Sequence, residues 1–255
     1  MATRTPASQA LTKAYGSLFG ALLHATKFRP EISAALGLLG SCLTFPTEEL
    51  YECLMHVLVY LGRSRNLGTT FSAHVPDANK LKAYADSNWS VTRSTTGFVI
   101  MLAGAAITAV SRRQHCICMS SCEAELVALA DCAIELIHTI SVVNFLGFET
   151  PDAIEVNTDS KAAYDLCHRF TSAQNSRHVD RKMFKMRELR GAGRVTVRHI
   201  PGVSNPADLF TKILARQEFE KHRKTVLNLP GDTGVEHARR VAQAASSQRD
   251  GTGAP

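Results

Sequence analysis

No second cysteine pair stands behind the cluster HCICMSSC at residues 115–122, and that absence removes the simplest metal reading of the chain. Zinc sites usually space their ligands as C-x₂₋₄-C with a partner pair elsewhere. On an alternating strand Cys116 and Cys118 share one face, where cysteine serves as a small core residue. The chain has seven cysteines, an odd number, and MATRTPASQALTK lacks the sustained apolar stretch of a secretory signal. A reduced, intracellular protein is the expectation, not a secreted one. The run LVALADCAIELIHTISVVNFLGF (126–148) is long enough to cross a bilayer, but it contains Asp131, Glu135 and His138 and has no basic flanks. A buried core helix fits it better. No internal repeat is present.

Charge is abundant but unevenly placed. The formal net charge is +6 over 255 residues. Residues 79–170 carry 7 Lys/Arg against 10 Asp/Glu, whereas residues 171–255 carry 16 against 8. An acidic middle beside a basic C-terminal part suits a polyanion gripped by one region and processed, with cations, by the other. A solvated basic surface gives the same numbers.

Periodicity and punctuation predict helices at 30–41 and at 47–63, the second capped by Thr47, followed by a polar linker over 64–80. Strands are predicted at 80–86, 97–104 and 105–114, the last two joined by a tight Gly-containing turn. A long helix over 120–146 precedes a strand at 153–158, helices at 159–170 and 176–191, a strand at 194–200, and a helix over 205–214 opened by an Asn cap and Pro. The order implies a mixed sheet of five strands with helices on its faces. From residue 230 the chain is polar and rich in small residues, as disordered tails are.

The stretch SSCEAELVALA (120–130) carries Glu123 and Glu125 two positions apart, hence about 200° apart on a helix. With Ser120 as N-cap, Glu123 completes a capping box. Glu125 lies beyond that reach, on the stripe of Ala128, Leu129 and Cys132. A carboxylate on such a stripe needs a cation, unless it bends out to water at the helix start. Asp86, Asp159 and Asp208 also fall at element ends, and each has a local account as a turn, cap or first-turn residue. Taken together, the ends of neighbouring strands can bring all four to one crevice. Two carboxylates about 4 Å apart repel by roughly 4 kcal/mol at an effective dielectric near 20. Such a cluster either protonates or recruits divalent cations, and all-oxygen ligands favour magnesium or manganese. Two ions about 3.5–4 Å apart suit phosphodiester hydrolysis.

The ordered set AYADSNW, RSTTGFVI, SRRQ, MSSCEAELVAL, VNTDSKAA, SRHVD and HIPGVSNPADLFTK resembles the ribonuclease H domain of Ty/copia-type retrotransposon polyproteins, over about residues 80–225. Residues 14–70, with Arg29-Pro30, resemble the tail of the reverse transcriptase that precedes that domain. The resemblance implies an α/β fold: a ribonuclease H-like five-stranded sheet flanked by helices (79–228), a small helical remnant before it (1–78) and a polar tail (229–255). It places the family's acidic set on Asp86, Glu125, Asp159 and Asp208, holding two Mg²⁺ ions, with Mn²⁺ as a substitute. Asp86 would bridge both ions, Glu125 and Asp159 would complete one shell and Asp208 the other. The family cuts the RNA strand of RNA–DNA hybrids, leaving a 3′-hydroxyl and a 5′-phosphate. Cytoplasm or virus-like particles are the implied location, and a separate polymerase or polyprotein chain is a possible partner.

The chain departs from the family in three places. It has no Tyr-x-Asp-Asp signature, so no DNA synthesis is expected. Asn88 stands where a second Asp often follows the first. PGVSNPA (201–207) holds no histidine, which leaves His178 and His199 as candidates for proton transfer or as packing residues. Arg177, Arg181 and Lys185 fall on one helical face, and with Lys182 and Arg198 they could follow a phosphate backbone. Trp89 and Tyr84 could pack on sugars or in the core. Two other readings stay open: a decayed or repurposed module that binds without cutting, and a recombinase on the same fold. The fourth carboxylate and the register of the Glu125 helix suit the recombinase less well.

Overall fold

The computed structural model describes residues 7–150, 153–168 and 177–229, and of residues 177–180 the backbone only. In chain order the elements are α1 (Gln9–Ala25), α2 (Ser33–Gly40), α3 (Glu48–Arg63), β1 (Lys82–Asn88), β2 (Thr95–Leu102), β3 (Ala105–Arg113), α4 (Ser121–Phe145), β4 (Ile154–Thr158), α5 (Lys161–His168), α6 (Arg177–Gly191), β5 (Val195–His199) and α7 (Arg216–Leu227). Short 3₁₀ turns cover Pro30–Ile32, Gly202–Ser204 and Pro206–Phe210.

The five strands form one mixed sheet in the order β3-β2-β1-β4-β5. β1, β2 and β3 are antiparallel neighbours, while β4 runs parallel to both β1 and β5. Ala103 and Gly104 join β2 to β3 with φ of 52° and 86°, the doubly left-handed backbone that a two-residue hairpin turn requires.

Alternation along the strands sorts two cores. Ala83, Ala85, Phe98 and Ile100 face one side, where α4 lies on β1 and β2 and α5 and α6 complete the layer. α4 is apolar nearly all round because Leu126, Leu129, Ala133 and Leu136 pack inward while Val127 is also covered. It is the one helix among the described residues long and apolar enough to cross a membrane, yet it is mostly buried in this core.

Val99 and Met101 face the other side, where Leu209, Phe210 and Val226 cover them. There Pro206–Phe210 and α7 close over β1–β3. Gly97 sits under that cover because a Cβ would lie 2.5 Å from Thr211 Cγ2 and 2.9 Å from Phe210 Cβ.

The N-terminal helices have a core of their own, built on Tyr15, Leu22, Ile32, Leu36, Leu39 and Leu54. The Tyr15 hydroxyl donates to the Leu39 carbonyl at 2.8 Å. They do not stand apart: α2 packs on β3, and a buried polar network reaches α7. Arg29 pairs with Glu31 at 2.7 Å and donates to Ser64, Tyr60 donates to Glu31, and Arg223 of α7 donates to the Tyr60 hydroxyl. Removing one partner from a buried ion pair strands the other charge, so this network fixes where the segment docks.

Several boundaries differ from the sequence expectation. β1 and β2 lie within about two residues of their predicted limits, a shift ordinary for ladder ends. Residues 205–214 do not form an α-helix; only the 3₁₀ turn Pro206–Phe210 forms, because Thr211 and Lys212 leave the helical path to meet Asp86. α1 and α7 were not anticipated. The polar tail expected beyond residue 229 lies outside the described residues.

Candidate active site

β1 and β4 are parallel neighbours with Tyr84 opposite Asn157, so continuing that register by two residues sets Asp86 beside Asp159. Strands about 4.8 Å apart then place two carboxylates in contact range. Asp208 arrives from the 3₁₀ turn over the same strand ends. Ligand oxygens of Asp86, Asp159 and Asp208 all lie within 4.8 Å of one another. Glu125 is outside that triad but borders it. Its Oε1 accepts from the Ser87 amide at 3.3 Å, and its Oε2 is buried without a partner.

Asp86 is only 1% exposed. Burial pushes its carboxyl up to about 7; the Lys212 ammonium and the Thr211 hydroxyl pull it down, while Asp208 and Asp159 push it further up. Burial likewise pushes Glu125 up to about 8, reinforced by Asp86. Carboxyls raised this far are partly protonated at neutral pH, and further positive charge nearby would ionise them.

Part of that charge is already present. Lys212 Nζ lies 2.7 Å from Asp208 Oδ1 and 3.4 Å from Asp86 Oδ1. Burial alone would lower its pKa, but Asp86 and Asp208 hold the ammonium above its usual range. The alternatives of protonation or divalent capture were therefore incomplete, since a side-chain cation shares the cluster.

Uncharged neighbours set the geometry. Thr211 Oγ1 donates to Asp86 Oδ2. Buried Asn205 donates from Nδ2 to the Ala85 carbonyl and to Asp159 Oδ1, both at 3.1 Å, while its Oδ1 accepts from the Ala207 amide. One amide thus ties β1, Asp159 and the 3₁₀ cap together. At Gly202 a Cβ would come to 3.1 Å from Asp159 Oδ2, so a bare backbone keeps that carboxylate's place. Asn88 turns away and donates to the Thr211 carbonyl at 3.3 Å.

The two glutamates of the helix start separate as their spacing requires. Ser120 accepts from the Glu123 amide, and Glu123 Oε2 accepts from the Met119 amide at 2.7 Å. Glu123 therefore reaches one residue upstream of the cap, a variant of the expected box.

The basic residues singled out in the sequence are spread over two regions. α6 carries Arg181, exposed; Lys182, paired with Asp131; and Lys185, 2.9 Å from Glu188 on the same helix. Arg198 lies on β5 beside Glu155 at 3.3 Å. The side chains of Arg177 and His178 lie outside the described residues. His199 Nε2 is 3.1 Å from the Asp159 carbonyl oxygen. Trp89 donates to the Cys118 carbonyl at 3.1 Å and remains 44% exposed, and Tyr84 packs against the Val99 cluster. Sequence reasoning missed Lys212, Thr211 and the second role of Asn205. Only the four-residue spacing of Asp208 and Lys212 signalled any of them.

No family model matches the chain. The retrovirus-related Pol polyprotein from transposon TNT 1-94 of Nicotiana tabacum is 29% identical over 217 residues, 83% of this chain and 16% of that polyprotein. The corresponding polyprotein from transposon RE1 of Arabidopsis thaliana is 27% identical over 210 residues, 81% of this chain and 14% of its own length. The chain thus spans a small part of these two polyproteins. Among solved structures, LC11-RNase H1, isolated from compost, covers 56% of this chain and 97% of its own, with 19% identity and a TM-score of 0.42.

Proposed function

We propose that the chain is a ribonuclease H of Ty/copia type, part of a retrovirus-related Pol polyprotein of a transposon, that hydrolyses the RNA strand of RNA–DNA hybrids. The observation that carries this reading is the convergence of Asp86, Asp159 and Asp208 from three elements, bordered by Glu125 with an orphaned buried oxygen. A crowded, all-oxygen set fits hard divalent cations, and Mg²⁺ is the ion we assign, with Mn²⁺ as a substitute. When bound, such ions polarise the scissile phosphate and lower the pKa of the attacking water.

The protein's own part is to hold that charge in place. Thr211 fixes one oxygen of Asp86, and Asn205 fixes one oxygen of Asp159. Residues on separate elements are thereby kept in a single register, which is what positioning contributes to catalysis. Lys212 lowers the repulsion among the acids before any cation arrives. Selectivity for RNA would come from contacts to 2′-hydroxyls near the cut. Arg177, Arg181 and Lys185 on one face of α6, with Lys182 beside them and Arg198 on β5, are our candidates for backbone contacts. Residues 1–78 are read as the tail of a reverse transcriptase, 79–228 as the nuclease and 229–255 as a polar tail. We place the protein inside the cell or in virus-like particles, alongside a polymerase or other polyprotein chain.

Lys212 also favours a second reading. A side-chain ammonium between Asp86 and Asp208 can stand in for a metal ion at those two acids, leaving a module that binds hybrid without cutting it. The two readings separate in one assay, with labelled RNA–DNA hybrid, RNA duplex and DNA duplex each incubated with the chain in magnesium. Loss of the RNA strand from the hybrid alone supports the nuclease. Retention of all three substrates despite hybrid binding overturns it in favour of the binding module.

A further inference from the structure

A groove of about 290 Å³ runs from Lys212 along one face of β1–β3 to α2, and no carboxylate lines it. Its floor follows from register. Asn88, Thr95 and Arg113 are partners across β1, β2 and β3, and Asp86, Gly97 and Ser111 form the adjacent row. All six residues share one sheet face, because each row lies two residues from the other. Two strand spacings and two residues of rise put the Arg113 backbone about 12 Å from that of Asp86.

Arg112, one residue earlier, points to the opposite face and pairs with Asp131 of α4. Arg113 escapes that pairing by alternation. Among the described residues neither Arg113 nor Arg93 has an acidic partner, and both are exposed at the groove. The outer wall is α2: Gly37 sits so close to Ser111 that a Cβ would be 3.1 Å from its Oγ, and Leu38 is 47% exposed beside it.

We propose that this groove is a backbone-phosphate subsite, with Arg93 and Arg113 as its cations and the N-terminal helical segment as its wall. It receives the nucleic-acid strand that continues past the carboxylate cluster. At that separation the arginines would meet the backbone a few nucleotides from the acids. The inference rests on the nuclease reading for its ligand class, and it gives the N-terminal helices a role in holding substrate.

The test uses the full chain in EDTA, where binding is read without cleavage. Fluorescence anisotropy with a labelled RNA–DNA hybrid gives Kd across a salt series. Arg93→Ala/Arg113→Ala should weaken binding and make the log K against log salt slope shallower by about 1 to 2, at about 0.9 per lost phosphate contact. Arg93→Lys/Arg113→Lys should restore the slope, because the charge remains. Leu38→Glu, a surface change on α2, should weaken binding by placing a carboxylate in the wall. A wild-type Kd and slope in both the alanine pair and Leu38→Glu would overturn the proposal. In magnesium, a wild-type chain that never cuts hybrid while its binding still depends on Arg93 and Arg113 would sink the nuclease reading and spare the groove. A chain that cuts, with an unaltered KM in the alanine pair, would do the reverse.

Discussion

Removing divalent cations should make the protein less stable as pH rises, and the acidic cluster sets the size of the effect. Asp86 starts from 3.8 and is pushed to about 7 in the folded chain. Between those values the folded state keeps a proton that the unfolded state has released, so stability falls as pH climbs through the window. At about 1.4 kcal/mol per pKa unit, Asp86 alone accounts for on the order of 4 kcal/mol between about pH 4 and pH 8. Glu125, raised to about 8, has the same sign, and the two contributions do not simply add because each repels the other. His222 works against them at the acid end. Burial lowers its pKa, so its contribution to stability grows as pH rises toward its ordinary value. The comparison that isolates the cluster is therefore wild type against Asp86→Asn. On the proposed metal-binding reading, divalent ions would bind the folded, deprotonated cluster and return about 2.7 kcal/mol at a hundredfold excess over Kd. A shift of about 2–4 °C per kcal/mol makes both effects visible in a thermal melt. With EDTA the wild-type midpoint should fall from pH 5 to pH 8, and magnesium should raise it at pH 8 but not at pH 5. Asp86→Asn should flatten the decline and blunt the rescue. A wild-type midpoint that ignores magnesium at pH 8, with the same pH profile in the mutant, would refute the reasoning.

Three substitutions test the supporting structure. Gly97→Ala forces a methyl group against Thr211 and Phe210 and should cost about 1–3 kcal/mol by overpacking, read from the denaturant midpoint. Glu123→Ala should lose about 1 kcal/mol of capping stability while hybrid cleavage continues; a folded but inactive protein would show that the wrong glutamate was assigned to the site. Arg29→Ala leaves Glu31 charged and buried, at a cost of about 3–5 kcal/mol in the same unfolding assay.

What the sequence made legible was whatever local rules govern. The five strands, the Ser120 cap of α4 and the split between Glu123 and Glu125 all follow from period, punctuation and helical angle. The acids at strand ends were legible for the same reason, since register places neighbours side by side. Contacts that span the chain were not. Asn205 reaches Ala85 across 120 positions and Thr211 reaches Asp86 across 125, so neither could be weighed against the helix that 205–214 otherwise suggests. Lys182 looked like a free cation on α6, but its partner Asp131 lies 51 residues away on α4. α7 escaped notice because its polar sequence buries only His222, Val226 and Leu227, too few for a clear stripe.

The central claim is that the clustered carboxylates cut RNA, and single-turnover cleavage of a labelled RNA–DNA hybrid in magnesium tests it most directly. Wild type, Asp86→Asn and Asp159→Asn are compared at equal folded concentration. The account predicts RNA loss with wild type and none with either mutant. Equal RNA loss in all three would contradict it.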